Sequence, residues 1–222
     1  MRPRVMLSKI PSELFRFYSR QGLKAALYAR LRWRLCPFEE IERQVPKEGA
    51  IIDIGCGYGL LANFLALRSS KRDVTGIDLS AGRIRAAQKT TDNRRKIQFK
   101  LMDALDLQLG KYSAVIMSDF LHHLDCEAQE ELLARCYQKL PPGGVLIIEE
   151  VDNRPLWKYW FAIMSDKILN VSQEQFFRDH REFQELLQRI GFLVRTKKVD
   201  KGIPLSDILF VCRKKGNLRT SS

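Results

Sequence analysis

Two groups of residues in this chain have the types and spacing to do chemistry. The first lies in residues 50–61, AIIDIGCGYGLL, where Asp53 is followed by Gly55, Cys56, Gly57 and Gly59. Alternate glycines let the backbone turn sharply and let a ligand approach without meeting a Cβ. Behind them Leu60, Leu61, Phe64 and Leu65 fall at helical spacing, so the turn opens into a helix start with unpaired N–H groups and a positive dipole end. Such a turn binds something flat and polar, most often a nucleotide. The second group is Asp119, His122 and His123. Histidine titrates near neutral pH, so either ring has the chemistry of a general base. His123 is favoured, because on a helical segment it lies one turn from Asp119. The competing reading has one histidine capping the next helix and the other packed against a sheet.

These residues need strand ends to hold them. Residues 50–54, 73–78, 96–102, 112–118 and 145–149 read as strands, and helical patterns lie between most of them. That alternation predicts a doubly wound, Rossmann-like sheet, mostly parallel. Residues 192–200 and 206–213, joined by 201–205, add a C-terminal antiparallel pair and bring the sheet to seven strands. Ligands of such sheets bind outside the C-terminal strand ends, where the strand order reverses. Asp78 and Asp103 each close a strand.

The spacing departs from a dinucleotide fingerprint, since Leu60 stands where a third glycine or alanine belongs, and no Gly-Lys-Ser/Thr marks a P-loop. Asp53-x-Gly55-x-Gly57-x-Gly59 instead resembles the first motif of the class I S-adenosylmethionine-dependent methyltransferases. The resemblance is close over residues 50–150, where Pro141-Pro142-Gly143-Gly144 matches the family's approach to strand five. It implies S-adenosyl-L-methionine as cofactor and S-adenosyl-L-homocysteine as product. It also implies that Asp53 fixes the glycine loop and faces the cofactor's amino group. Asp78, with Leu79 beside it, would take the ribose hydroxyls. Asp103 would accept from the adenine amine while the Ala104 N–H donates to the ring. Asp119 is expected in the same cleft, and Cys56 as a small loop filler rather than a nucleophile, because no base flanks it.

On the acceptor side, residues 117–124 (MSDFLHHL) lack the Asn/Asp-Pro-Pro-Tyr/Phe of the amino-methylating branch and resemble the small-molecule and lipid branch. Nucleic acid is therefore disfavoured as a partner. Glu149, Glu150 and Asp152 are expected at the cleft edge, near a helix N-terminus or in solvent, and no partner set makes them a metal site. Trp157, Trp160 and Phe161 belong to an aromatic stretch within 152–171, where the family inserts a substrate lid. With Glu150 they are expected to line an apolar acceptor. The competing reading is an ordinary core helix. From Ser172 a capping-box pattern predicts a helix carrying Phe176, Phe177, Phe183, Leu186, Leu187 and Ile190, with His180 as a surface or core histidine.

The 222-residue chain carries a net charge of +12, unevenly placed. Residues 1–35 hold nine Lys/Arg against Glu13, and residues 213–222 hold four with no acid. The remaining 25 basic and 25 acidic residues balance, so the body between is neutral. The expected organisation is a basic helical extension over 1–46, a methyltransferase domain over 47–215 and a basic tail over 216–222. Residues 12–35, with Ser12 as cap and Gly22 dividing them, read as a basic amphipathic helix. It either covers the cleft with its arginines solvated, or touches an anionic membrane, an acyl carrier or RNA. Five cysteines without a C-x-x-C pair suit a reducing compartment. No signal-peptide core or membrane-length apolar run is evident. The expected location is cytoplasmic, with the inner membrane face as a peripheral site. The expected activity is methyl transfer to a small hydrophobic or lipid-linked acceptor, oxygen before carbon. An RNA or protein methyltransferase using the basic ends, and a cofactor binder without transfer activity, are the alternatives.

Overall fold

The computed structural model describes residues 9–92, 95–107, 112–151, 176–199 and 207–214. The most apolar runs become the middle of one sheet, because a strand covered by helices on both faces has no polar side. Ile51, Ile52, Ile54, Val115, Ile116, Met117, Leu146, Ile147 and Ile148 are all fully buried. The strands are β1 (Gly49–Ile54), β2 (Arg72–Asp78), β3 (Ile97–Leu101), β4 (Ala114–Ser118), β5 (Val145–Val151), β6 (Leu193–Lys198) and β7 (Asp207–Arg213). Their order is β3-β2-β1-β4-β5-β7-β6. Neighbours from β3 to β5 pair in parallel, and β7 runs antiparallel to both β5 and β6. The order turns back between β1 and β4, so a crevice opens beyond their C-terminal ends.

Around the sheet lie α1 (Ser12–Ser19), α2 (Leu23–Leu35), α3 (Phe38–Gln44), α4 (Leu60–Arg68), α5 (Ala81–Gln88), α6 (Cys126–Lys139) and α7 (His180–Ile190). Successive residues of a strand face opposite ways, and the core divides accordingly. Ile51, Ile116 and Ile147 join Trp33, Leu61 and Phe64 on the side of α1–α4, while Ile52, Val115 and Ile148 join Leu132, Leu133 and Leu187 opposite. Arg72, fully buried, donates to the carbonyls of Val45, Pro46 and Leu65 and pairs with Glu42 at 3.0 Å, tying α3 to β2.

Three expectations change. Gly22, at φ 109°, separates α1 from α2 as expected, but Pro11 rather than Ser12 stands at the cap of α1. Helix α7 starts at His180, because the Asp179 carboxylate accepts the Arg181 N–H and makes a new cap,. Phe176 and Phe177 therefore precede the helix, and Ser172 lies outside the described residues. Strand β5 runs on to Val151 because β7 pairs with it as far as Val151↔Asp207. Glu149 and Glu150 thus sit in a strand, neither in solvent nor at a helix start. The insertion 152–171 with Trp157, Trp160 and Phe161, the connection 201–205 and the tail 216–222 also lie outside the described residues. Among the described residues no helix is long and apolar enough to cross a membrane.

Candidate active site

The crevice between β1 and β4 is a cleft of about 560 Å³. Its floor is the glycine turn after β1. Gly59 sits at the cap of α4 in the left-handed region and offers no side chain to the helix. Asp53 supplies that function from below, since its carboxylate accepts the Ala62 N–H in the first turn. Asp53 is buried, and burial pushes its carboxyl up to about 7; the Ala62 hydrogen bond opposes this and the nearby Asp78 adds to it. Its Oδ2 has no hydrogen-bond partner among the described residues. Gly55 is held at φ 73°, and a Cβ there would meet the Phe120 ring at 2.3 Å. A Cβ on Gly57 would meet nothing closer than the Tyr28 hydroxyl at 3.9 Å, so its open side faces the cleft.

Asp78 at the end of β2 accepts from the Gly57 N–H at 2.9 Å with Oδ2 and from the Ser80 N–H at 2.8 Å with Oδ1. It holds the glycine turn and the α5 start together, and each oxygen keeps a second lone pair. Leu79 is exposed at the rim. Asp103 and Ala104, after β3, line the same cleft, and Asp103 turns the chain by accepting the Leu105 N–H at 2.9 Å. The structure thus brings Gly55, Cys56, Gly57, Asp78, Leu79, Asp103, Ala104 and Asp119 to one cleft, with Asp53 buried beneath its floor and Gly59 bracing it from behind.

Helix α2 closes the cleft from the other side with residues that no local pattern singles out. Tyr28 packs on Tyr58 at 4.6 Å, and Arg32 donates to Asp119 Oδ2 at 2.7 Å. Arg32 is therefore not a solvated cation, as the sequence had suggested for these arginines. Burial pushes the Asp119 carboxyl up, but Arg32 and the two histidines outweigh it and hold it near 2. Asp119 adopts φ 55°, the one described non-glycine residue in the left-handed region, and this bend starts the next turn. Beneath, Tyr18 donates to the Tyr58 carbonyl at 3.0 Å and accepts from Asn63 at 3.3 Å. The Asn63 amide also reaches the Gly59 carbonyl and Thr90.

The segment after β4 is a single 3-10 turn, Leu121–His123, not a helix. It is a partition. Asp119, Phe120 and His123 line the cleft, whereas Leu121 and His122 line a second, aromatic cavity with Phe176, Phe177, Phe183 and Phe210. The one-turn relation to Asp119 belongs to His122, whose Nε2 lies 3.9 Å from Asp119 Oδ1, beyond hydrogen-bond range. Glu150 fixes the partition: Oε1 accepts the N–H groups of Phe120 and Leu121, and Oε2 lies 2.7 Å from His122 Nδ1. A carboxylate only accepts, so Nδ1 carries the hydrogen, and Nε2 is the atom that gains or loses a proton as the ring changes charge. Neither histidine caps α6; the Asp125 side chain does so through the Ala128 N–H. Glu149 is buried and accepts from the Ser118 hydroxyl at 2.6 Å. Phe177 stacks on His122 at 4.8 Å between centroids. Buried Gln129 stitches the cavity wall, donating to the carbonyls of Leu121, Leu124 and Phe176 and accepting from Arg178. His180 lines this cavity too.

The fold and cleft define a Rossmann-like domain built to hold a nucleoside at its strand-order switch. Comparison with known proteins narrows this. Residues 51–144 match the family described as a methyltransferase domain. A ubiquinone biosynthesis O-methyltransferase from Acinetobacter baumannii is 30% identical over 119 residues, 51% of this chain and 48% of that protein. The chain spans about half the length of the curated relatives it matches. An O-methyltransferase family protein from Burkholderia thailandensis has the same fold, with a TM-score of 0.70 at 18% identity, covering 91% of this chain and 62% of that one. The magnesium protoporphyrin IX methyltransferase of Synechocystis PCC 6803, solved with bound SAH, superposes with a TM-score of 0.65 at 21% identity, covering 91% and 95%. Residues 51–144 thus match a methyltransferase domain, in the fold that these solved methyltransferases share.

Proposed function

We propose that this chain transfers a methyl group from S-adenosylmethionine to the hydroxyl oxygen of a small, hydrophobic or lipid-linked acceptor. The cleft suits the cofactor on two grounds. Asp53 Oδ2 is a buried acceptor without a hydrogen-bond partner among the described residues, fit for a cationic amino group. The open side of Gly57 admits a ligand against the backbone. Asp53 and the Gly55–Gly59 turn hold the amino-acid end, Asp78 and Leu79 the ribose, and Asp103 and Ala104 the adenine. When bound, S-adenosylmethionine supplies an electrophilic methyl on its sulfonium, which departs as the neutral thioether of S-adenosylhomocysteine.

The observation that carries the acceptor reading is the partition turn, which sets the His122–Glu150 pair in an aromatic cavity one residue away from the cleft lining. His122 Nε2 takes the hydroxyl proton as the oxygen attacks, and Glu150 holds the ring and stabilises its cationic form. The proton then leaves to solvent. The apolar walls exclude water and favour an aromatic or isoprenoid acceptor. Relatives from Acinetobacter, Psychrobacter and yeast named as ubiquinone biosynthesis O-methyltransferases favour oxygen over carbon. The cavity is narrow, about 30 Å³, so a ring-sized acceptor displaces Phe177 from His122. Trp157, Trp160 and Phe161 are further candidates for the acceptor wall, and His123, facing the cleft, is the second candidate base.

The test is incubation with methyl-labelled S-adenosylmethionine and a host lysate, then separation into organic-soluble, small-molecule, RNA and protein fractions. Label should enter the organic fraction as a methyl ether. His122→Asn should lower kcat by about 10²–10⁴-fold, the range of general-base catalysis, with S-adenosylhomocysteine affinity unchanged. Label in RNA or protein, or on carbon, overturns the acceptor. Binding without label in any fraction makes the chain a cofactor binder.

A further inference from the structure

Helix α2 has three faces, and two are occupied. Ala26, Ala29 and Trp33 are buried in the core. Tyr28 and Arg32 line the cleft. The third face carries Leu23, Leu27 and Leu31, one helical turn apart, at 85%, 64% and 42% exposure. Lys24, Arg30 and Arg34 lie exposed among them, and Arg16 and Arg20 are exposed on and just beyond α1. Arg30 lies over the Phe15 ring at 4.4 Å. No Asp or Glu occurs between Glu13 and Glu39. Apolar residues therefore point both inward and outward, so α2 is not the simple amphipathic helix that its composition suggested.

A row of three leucines in water marks a surface that binds something. Nucleic acid would meet the cations but has no use for the leucines. An anionic lipid surface takes both, leucines at the acyl boundary and cations at the phosphates. We propose that the outward face of α2 docks on an anionic phospholipid surface, with Leu23, Leu27 and Leu31 entering the interface and Lys24, Arg30 and Arg34 at the headgroups. Docking sets the cleft wall formed by Tyr28 and Arg32 within one helix width, about 10 Å, of the lipid. The contact stands apart from the reaction proposed above, because lipid binding is read without turnover.

The experiment is cosedimentation of the full chain with vesicles of phosphatidylcholine alone or with about one quarter phosphatidylglycerol, at about 0.1 M and 0.5 M NaCl, where screening differs strongly. The chain should bind the anionic vesicles, less at high salt, and neglect the neutral ones. Leu27→Glu/Leu31→Glu should weaken binding more than tenfold at both salts. Lys24→Glu/Arg34→Glu should weaken it about tenfold or more at low salt, since each cation near such a surface counts for about five-fold. Unchanged S-adenosylhomocysteine affinity shows that both variants are folded. Absence of binding to anionic vesicles, or binding that the leucine variant retains, overturns the proposal. So does light scattering that shows a dimer lost only in the leucine variant, which would assign the face to a second copy. RNA retention abolished by the cation variant alone would assign it to nucleic acid.

Discussion

The cleft and the aromatic cavity share one turn of chain but are built in opposite ways. The polar surface of the cleft comes from backbone N–H groups and carboxylates at strand ends, each a few residues from the next in its motif. The cavity wall is made of side chains from four separate stretches, among them His122, Gln129, Glu150, Phe177, Phe183 and Phe210. A backbone site is fixed once the sheet forms, whereas a side-chain site also depends on how β5, β7 and α7 are laid against it. The cleft should therefore be sensitive to single atoms, and the cavity tolerant and open to change of acceptor.

Substitutions that damage one and spare the other sharpen this contrast. The largest effect is expected from Asp78→Ala, which removes the acceptor for the Gly57 and Ser80 N–H groups. Each part-buried donor left unpaired costs about 1 kcal/mol, and the ribose loses its acceptor too, so S-adenosylhomocysteine affinity should fall on the order of 100-fold in calorimetry. An unaltered affinity would remove Asp78 from the site.

A smaller effect follows from Asp53, whose carboxyl burial raises from 3.8 to about 7. A cationic ligand group favours the ionised form, so affinity should rise about tenfold from pH 6 to pH 8 and then level off. For folding the sign is reversed. The folded state binds the proton more tightly than the unfolded chain, so this group's contribution is most favourable in acid and is lost as pH rises through 7. Asp53→Asn should flatten the pH profile of binding; a slope that survives places the titration elsewhere. The smallest effect is expected from Phe177→Ala, which uncovers His122. Acceptor KM should change by a few-fold, within the ~1–3 kcal/mol of an apolar contact, with cofactor affinity untouched. An equal loss of cofactor binding would mean that Phe177 supports the cleft as well as the acceptor cavity.

The same contrast governs what the sequence could reveal. Asp53, the glycines and Asp78 sit in contiguous motifs whose spacing is their geometry, and the alternating strands follow from runs buried on both faces. Glu150 was expected beyond the strand because the length of β5 is set by β7, whose pairing residue Asp207 lies far along the chain. The start of α7 was misread because two N-cap signals compete and Asp179 stands nearer the apolar periodicity. Arg32 could not be singled out, since its partner Asp119 is 87 residues away and nothing local distinguishes it from its neighbouring arginines.

The buried Asn63 amide ties Tyr18 to Gly59 and Thr90, and Arg32 to Asp119 closes the same cover from its other end. On the ribosome this inverts the order of events. The helices made early are the ones completed late: at about 5–20 residues per second, Arg32 waits roughly 4–20 s for its carboxylate. Through that interval the nascent segment has Trp33 and Leu14 uncovered beside its cations, so a chaperone or a lipid surface can meet it before the sheet does.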